Sequence, residues 1–156
     1  MHITIVAVGQ KLPAWAQTAV DDYLARFPRD FTVIVKEVKA EARTGGKPVA
    51  QVMAAEADRI ERAVPAGDIL VAMDEHGRDM TTVDFSKKIS AWKNEGCGVT
   101  FIIGGADGLD PALKAKSRMM LRLSSMTLPH AFARVLLTEQ IYRAWSILAN
   151  HPYHRV

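Results

Sequence analysis

Apolar residues along the chain alternate between short β-branched runs and longer stretches in which they recur every three or four positions. The short runs predict strands at 2–8, 31–38, 68–73, 99–103 and near 121–123. The longer stretches predict helices after Pro13, at 48–64, from Thr81 or Thr82 to about Glu95, after Pro111, and from about His130 to Ala149. This alternation predicts an α/β fold, with a mainly parallel sheet and helices on both of its faces.

The connections between these elements also carry information. The first helix is expected to include Phe27 and to stop at Pro28, because proline cannot continue a helix. Residues 39–47 are polar and contain two adjacent glycines, which is typical of a mobile loop. Residues 74–79 are rich in turn-forming side chains and are expected to form a second loop.

Ligands of parallel α/β sheets bind beyond the carboxyl ends of the strands, so the connections after Met73, Ile103 and Leu123 are the candidate ligand loops. The second of these is the glycine-rich turn 104–108, whose backbone N–H groups can come close to a ligand. It matches neither the phosphate-binding pattern G-x-x-x-x-G-K-[ST] nor the dinucleotide pattern G-x-G-x-x-G. A tight turn that binds nothing is the alternative interpretation.

The segment 123–130, with the sequence Leu-Ser-Ser-Met-Thr-Leu-Pro-His, is the strongest local signal. Its hydroxyl groups, apolar side chains and Pro129 are typical of an ordered loop, since proline stiffens the entry into the next helix. Such a loop suits a ligand that is partly apolar and partly polar, such as adenosine. A hydrophobic connection leading to a capped helix is equally compatible with these residues.

Length and composition limit the class of protein. The chain has 156 residues, of which 49% are hydrophobic, so residues 1–156 are expected to form one domain. Its single cysteine, Cys97, cannot form an internal disulfide and is expected to be a small buried side chain. The longest apolar run, 69–73, is far shorter than the roughly 20 residues that a membrane span needs. The first residues are expected to form a strand rather than a signal peptide, so the prediction is a soluble cytoplasmic protein.

Charge is distributed unevenly along the chain. Residues 1–110 contain 13 Lys and Arg against 16 Asp and Glu, whereas residues 111–156 contain 7 against 1. The net charges are therefore −3 and +6 (13 − 16 and 7 − 1). Such asymmetry indicates a polyanionic partner, although a basic face that is merely solvated is an equally plain interpretation.

The last helix and the tail contain further candidates for chemistry. Glu139 and Arg143 are four residues apart and share a helix face, where an intrahelical ion pair is the simplest interpretation. Residues 151–155 include a tyrosine, two histidines and an arginine, a set that can stack on an unpaired base and hold a phosphate. A frayed terminus is the alternative. The histidines lack the spacing of a zinc site, so no metal is expected.

Taken together, six segments resemble the ribosomal RNA large subunit methyltransferase H family, one of the SPOUT methyltransferases. The segments run from the amino terminus to the tail, so the resemblance covers the whole chain, and their order and spacing make it specific. They are Val6–Lys11 (VAVGQK), Met73–Gly77 (MDEHG), Ile103–Leu109 (IGGADGL), Leu123–His130 (LSSMTLPH), Arg134–Ala144 (RVLLxEQxYRA) and Pro152–Arg155 (PYHR).

The resemblance implies a C-terminal trefoil knot and a homodimer that binds S-adenosylmethionine in the knot. It implies methylation of N3 of a pseudouridine in 23S ribosomal RNA within the assembled ribosome, with no metal and no membrane involved. Carried over by motif, the cofactor-binding positions are Met73, Gly104, Leu123, Ser124, Ser125, Met126, Thr127 and Leu128. A leucine is usual in the family at the first of these positions, and we expect the apolar Met73 to replace it.

The implied chemistry assigns roles to the remaining motif residues. A sulfonium is already an activated methyl donor, so the protein mainly supplies alignment, and a cation near N3 favours the anionic base. The residues expected to position RNA or stabilise charge are Arg134, Arg143, Tyr153, His154 and Arg155, with His130 a weaker candidate. Two subunits would let the tail of one lie beside the cofactor of the other. The alternatives are a non-catalytic ribosome-associated RNA-binding protein and a SPOUT methyltransferase that acts on transfer RNA.

Overall fold

The structure contains one five-stranded sheet in which all neighbouring strands are parallel, as the strand–helix alternation predicts. It is a computed structural model that describes residues 1–9 and 11–155. The strands are β1 (His2–Val8), β2 (Thr32–Val38), β3 (Ile69–Arg78), β4 (Val99–Ile103) and β5 (Met119–Leu121), in the spatial order β2-β1-β4-β3-β5. The helices are α1 (Ala14–Leu24), α2 (Val49–Ala63), α3 (Thr82–Asn94), α4 (Pro111–Lys116) and α5 (His130–Leu148).

Helix starts follow from local chemistry. The Thr81 hydroxyl accepts a hydrogen bond from the backbone N–H of Asp84 at 3.1 Å, which caps α3 where the sequence predicts. The Asp110 carboxylate caps α4 in the same way. Pro129 precedes α5 with φ −60°, so the fixed proline backbone sets the direction in which segment 123–128 enters the last helix.

Alternating side chains of the strands face two different helix layers. In β4, Phe101 packs with residues of α3 and α5, whereas its neighbour Ile102 packs with residues of α2 and α4; both are completely buried. Helix α1 joins the first layer by packing on α5. Helices on both faces leave the carboxyl edge of the sheet as the place where loops assemble a site.

Strand β3 is longer than the sequence indicates. The expected loop at 74–79 is wrong, because the strand continues to Arg78 and pairs a second time with β5 at Leu121 after an irregularity in register. Gly77 makes this possible, since a Cβ there would lie 2.7 Å from the Leu121 backbone. The close approach of two backbones at Gly77 is not visible as hydrophobic periodicity.

Smaller corrections concern element ends and one side chain. Strand β5 occupies 119–121 rather than 121–123, and α1 ends at Leu24, so Phe27 lies beyond the helix and stacks on Phe31. The residue before Pro28 is biased away from helical backbone geometry, which accounts for the early end. Cys97 is only partly buried, next to the turn that ends α3. Across residues 1–9 and 11–155, we find no helix that is both long enough and apolar enough to cross a membrane.

The fold pairs most cations of the last third with carboxylates. Six of the seven form ion pairs, five of them with acids from the first 110 residues: Lys114–Asp74, Lys116–Glu61, Arg118–Glu95, Arg122–Asp79, Arg134–Glu37 and Arg143–Glu139. Exposed pairs of this kind contribute about 0–1 kcal/mol each to stability. The charge asymmetry of the sequence therefore does not become one free basic surface on the last third of the chain.

Candidate active site

Two adjoining cavities open at the carboxyl edge of the sheet, where β3, β4 and β5 end. The first, of about 150 Å³, is mostly apolar and is lined by the strand ends, segment 121–128 and Ala133. The second, of about 580 Å³, adds the turn 104–108, Lys114 and His130. Met73, Ile103 and Leu128 border both cavities. The segments that follow Met73, Ile103 and Leu123 therefore meet at one place, as the parallel sheet predicts, although the first of them is part of β3.

The glycine-rich turn forms the floor of the larger cavity. Its chain closes tightly, with the Gly108 N–H donating to the Gly105 carbonyl oxygen at 3.0 Å. A Cβ at Gly104 would lie 2.6 Å from the backbone carbon of Gly108, so only glycine fits at this position. The turn is tight and lines the cavity, and ligand binding by it stays a prediction.

Segment 123–128 supplies the apolar wall. The Ser124 hydroxyl accepts a hydrogen bond from the backbone N–H of Met126 at 2.9 Å, which orders the loop, and Met126 itself is 76% exposed. Seven of the eight predicted cofactor positions line the two cavities: Met73, Gly104, Leu123, Ser124, Met126, Thr127 and Leu128. Ser125 is exposed and lines neither cavity.

Acidic side chains at the end of β3 were missed by the sequence interpretation. Asp74 and Glu75 border both cavities, and Asp107 borders the larger one. Partial burial opposes ionisation of Asp74, but the His76 backbone N–H and the Lys114 ammonium, 3.1 Å away, together hold the pKa of its carboxyl below the ordinary value. Polar residues directly after a buried strand are the signal that points to them.

His130 borders the larger cavity, and Arg134 hydrogen-bonds to it from the side away from the cavity. Arg134 is 2% exposed; its Nε donates to His130 Nε2 at 3.0 Å, and its Nη1 lies 3.1 Å from the Glu37 carboxylate. Burial, followed by the Arg134 charge, lowers the pKa of His130, against an opposing effect of Glu37. With Nε2 occupied as an acceptor, the neutral ring bears its proton on Nδ1.

The position of Arg134 differs from the sequence expectation. Its side chain lies behind His130 and borders neither cavity, so within one chain it does not reach the place where RNA is expected. The motif singled out Arg134, which makes specific polar contacts with His130 and Glu37. Which face of α5 packs on β2 could not be inferred from the spacing of apolar residues.

The tail packs into an aromatic and charged cluster. The Tyr153 hydroxyl lies 2.9 Å from that of Tyr23 and donates to Glu139 at 3.1 Å, and the Arg143 guanidinium lies 4.8 Å from the centre of the Tyr153 ring. Arg143 also pairs with Glu139 at 2.6 Å, which confirms the intrahelical ion pair, and approaches His154 Nδ1 at 3.3 Å. Tyr153 and His154 are therefore docked on α1 and α5 rather than frayed, whereas Arg155 is exposed.

Tyr153 is a neutral hydrogen-bond donor in this cluster. Burial, the hydrogen bond with Tyr23 and the negative charge of Glu139 raise the pKa of its hydroxyl well above the ordinary value. Its ring already contacts Tyr142 edge to face, with centroids 4.7 Å apart. In this arrangement neither the hydroxyl nor the ring is free for the base stacking that the residue types suggest.

The predicted site residues thus form two groups. Arg143 follows His130 by 13 residues on the same helix, a distance of about 20 Å at 1.5 Å per residue. Arg143, Tyr153, His154 and Arg155 line neither cavity. One chain therefore brings together the predicted cofactor positions and His130, but it leaves the predicted tail residues at the other end of α5.

Comparison with known proteins identifies the family. A family model described as "Predicted SPOUT methyltransferase" matches residues 1–154. The chain belongs to the SPOUT methyltransferase family. It is 55% identical over 155 residues to a Bordetella avium protein and 53% identical over 156 residues to a Ralstonia pickettii protein, both named "Ribosomal RNA large subunit methyltransferase H". These matches cover 99% and 100% of this chain, and the same shares of the relatives.

Solved structures of low sequence identity share the fold. A probable methylase family protein from Haemophilus influenzae superposes with a TM-score of 0.58 at 13% identity, over 99% of this chain and 70% of that one. A putative methylase family protein from Neisseria gonorrhoeae gives 0.54 at 15% identity, over 99% and 95%. SPOUT methyltransferases are trefoil-knotted and use S-adenosylmethionine, so the expected knotted α/β fold is confirmed.

Proposed function

We propose that the protein is an S-adenosylmethionine-dependent methyltransferase that modifies N3 of a pseudouridine in 23S ribosomal RNA of the assembled ribosome. One observation carries this proposal: Met73, the turn at Gly104 and segment 123–128 converge on one pair of cavities. Membership of the SPOUT family and the names of the relatives support it. A ribosomal substrate in turn implies a cytoplasmic enzyme.

The cavities fit the cofactor by their chemistry. The smaller, apolar cavity suits the adenosine part, with contacts from Met73, Leu123 and Leu128. The larger cavity has carboxylates at Asp74 and Asp107, which favour a sulfonium and an ammonium group, and Lys114, which favours a carboxylate. When bound, S-adenosylmethionine supplies an activated methyl group, and the protein holds it in line with the target nitrogen.

Within this proposal His130 orients the substrate. Its Nε2 is already occupied by the Arg134 N–H, so the neutral ring offers an N–H donor and not a base. A donor of this kind at the cavity rim can hydrogen-bond a base carbonyl and position the ring for methyl transfer. Arg134 acts through His130, because its N–H fixes the ring and its charge favours the neutral form, and Glu37 holds Arg134 in place.

We further propose a homodimer in which the tail of one subunit serves the cavity of the other. Trp15 and Phe132 contact each other on the outside of α1 and α5, with centroids 4.9 Å apart and ring planes tilted by 45°, and they are 50% and 48% exposed. Leu136 is 36% exposed on the next turn of α5 and extends this apolar patch. A second copy packed here would cover the patch. It would also supply Arg143, His154 and Arg155 to a cavity that its own chain leaves without them.

Methyl transfer to ribosomes tests the proposal. Ribosomes from a strain that lacks the gene would be incubated with protein and methyl-labelled S-adenosylmethionine, with free ribosomal RNA and transfer RNA alongside. We expect label on one pseudouridine of 23S RNA and only in whole ribosomes. Label on transfer RNA alone would mean that transfer RNA, and not 23S RNA, is the substrate. Neither label nor saturable cofactor binding would indicate the non-catalytic RNA-binding alternative.

A further inference from the structure

The loop between β2 and α2 lies beside the larger cavity and is fixed there by three contacts. The Glu41 backbone N–H donates to the Glu56 carboxylate at 3.0 Å, and Arg59 of α2 donates to the Lys39 carbonyl oxygen at 3.0 Å. Arg43 forms an ion pair with Asp107, a residue of the glycine-rich turn. The polar run 39–47 is therefore held against the glycine-rich turn beside the larger cavity, and we call it the rim.

Glu56 ties this rim to the cavity floor. It is 5% exposed, and its Oε1 lies 3.0 Å from the position that a Cβ on Gly105 would occupy. The buried carboxylate thus fits under the glycine turn while it holds the Glu41 backbone from the other side. Glu56 therefore contacts both the rim and the glycine turn, in addition to the Arg43–Asp107 ion pair that joins them.

Cations outnumber carboxylates on this rim. Four cations lie here, Lys39, Arg43, Lys47 and Arg59, and their ion pairs involve only two acids. Lys47 and Arg59 share Glu41 at 3.8 and 3.3 Å, and Arg43 pairs with Asp107. Lys39 is exposed and forms no ion pair with any residue in the described ranges 1–9 and 11–155. With the buried Glu56 carboxylate counted as well, the local net charge is +1 (four cations minus three carboxylates).

The other surroundings of the cavity offer less positive charge to the phosphates of an RNA. Asp74 and Glu75 border the cavities, so the lining itself repels a polyanion. The cations of the last third that lie on the β3–β5 side, Lys114 and Arg122, are each paired with one carboxylate. An RNA whose base enters the cavity can therefore have its backbone held from the β1–β2 side, where positive charge is in excess.

We propose that Lys39, Arg43, Lys47 and Arg59 form a phosphate-binding surface for the RNA strand that flanks the target nucleotide; this inference rests on the function proposed above. Arg43 is about half exposed and presents a planar guanidinium suited to bidentate phosphate contact. Gly45 and Gly46, at the tip of the rim, have open space where side chains would stand, so a backbone can approach closely.

Charge-removing variants test this surface against a matched control. The triple variant K39Q/R43Q/K47Q removes three charges from the rim, and K87Q/K88Q/K93Q removes three from α3 on another part of the surface. Both are compared with the unmodified protein for binding to ribosomes from a strain lacking the gene, at several salt concentrations. Affinity for S-adenosylmethionine and transfer at saturating ribosome concentration are measured in parallel. Because R43Q also leaves Asp107 without its partner, the double variant K39Q/K47Q is compared with K87Q/K88Q.

We expect the rim triple variant to bind ribosomes on the order of tenfold more weakly near 0.1 M salt. The slope of log affinity against log salt should fall by about one per lost phosphate contact. Cofactor affinity and the rate at saturation should stay within about twofold, and the α3 variant should match the unmodified protein in every respect. Equal losses in the rim and α3 variants, or unchanged ribosome binding with normal methylation, would overturn the surface while leaving the function intact. If the unmodified protein binds cofactor but no ribosomal RNA, the proposed substrate and this surface both fail.

Discussion

The cavity at the carboxyl edge and the tail cluster at the far end of α5 contain the same kinds of residue but are built in opposite ways. At the cavity, Asp74, Glu75 and His130 border open space. In the tail cluster, Glu139 is 9% exposed, and its carboxylate accepts hydrogen bonds from Arg143 and Tyr153. Polar groups in the first region face the open cavities, whereas Glu139, Arg143 and Tyr153 in the second bond to one another.

This difference separates residues that border the cavities and can bind a ligand from residues whose contacts stabilise the fold of their own chain. The ring and hydroxyl of Tyr153 are used within its own chain, which leaves the exposed Arg155 as the tail side chain available to a partner. A sequence motif alone cannot make this distinction, because it marks every residue of the tail as equally important. Four variants test it, and we give them from the largest expected effect to the smallest.

Deletion of residues 153–156 is expected to abolish methyl transfer, by at least about a thousandfold, since it removes every tail group proposed to act at the partner's cavity. Cofactor affinity, measured by calorimetry, should stay within a few-fold because the tail lines neither cavity. Comparable loss of cofactor binding would show that the two regions are not independent.

Gly104→Ala is expected to weaken cofactor binding on the order of a hundredfold, or about 2.7 kcal/mol. Its new Cβ would lie 2.6 Å from the Gly108 backbone and force the turn open. Gly67→Ala is the control: it lies at the opposite edge of the sheet with φ +84°, so it strains the chain without touching the cavity. Similar cofactor affinities in the two variants would contradict the assignment of the turn.

Mixing the tail-deletion protein with the Gly104→Ala protein, at a cofactor concentration too low for the second to act alone, sharpens the comparison. A mixed dimer has one intact cavity and one intact tail, on different subunits. If the tail of one subunit serves the cavity of the other, mixing should restore measurable methyl transfer. No recovery in a mixture proven to exchange subunits would place the tail's action in its own chain.

Arg134→Gln is expected to destabilise the fold by roughly 1–3 kcal/mol, since it removes charged hydrogen bonds of a buried side chain. It should also raise the pKa of His130, measured by NMR titration, because the Arg134 charge is one of the two effects that lower it. The folded chain binds fewer protons at His130 than the unfolded chain just below pH 6.5, so stability falls as pH drops through that range. The variant should show a weaker fall, and an unchanged His130 titration would contradict the proposed contact.

Tyr153→Phe is expected to have the smallest effect, a loss of about 1–2 kcal/mol in unfolding free energy. The substitution keeps the ring packing against Tyr142 and removes only the hydroxyl that donates to Glu139. Methyl transfer measured well below the unfolding temperature should change less than about threefold. A large loss of activity at unchanged stability would mean that the hydroxyl acts on RNA.

Much of the cavity follows from the sequence, and most of the remainder depends on distant contacts. Parallel strands end at one edge, so the loops containing Met73 and Gly104 meet as predicted. The burial of Arg134 depends on Glu37, a residue 97 positions away on another strand. The extension of β3 depends on how closely Gly77 approaches β5. These contacts join two segments that are distant in the sequence, whereas hydrophobic periodicity describes one segment at a time.

The strand order has a consequence for how the chain is made. Strand β4 lies between β1 and β3, and its Val99 pairs with Ile3, a residue synthesised 96 positions earlier (99 − 3). Until that stretch leaves the ribosomal exit tunnel, β1 can pair only with β2, and its other edge has no strand beside it. Sequential hairpins cannot protect this edge, because every pairing in the sheet is parallel and needs a long crossover. The sheet's central strand is thus the fourth to be synthesised, and the nascent chain holds an open edge for much of its translation.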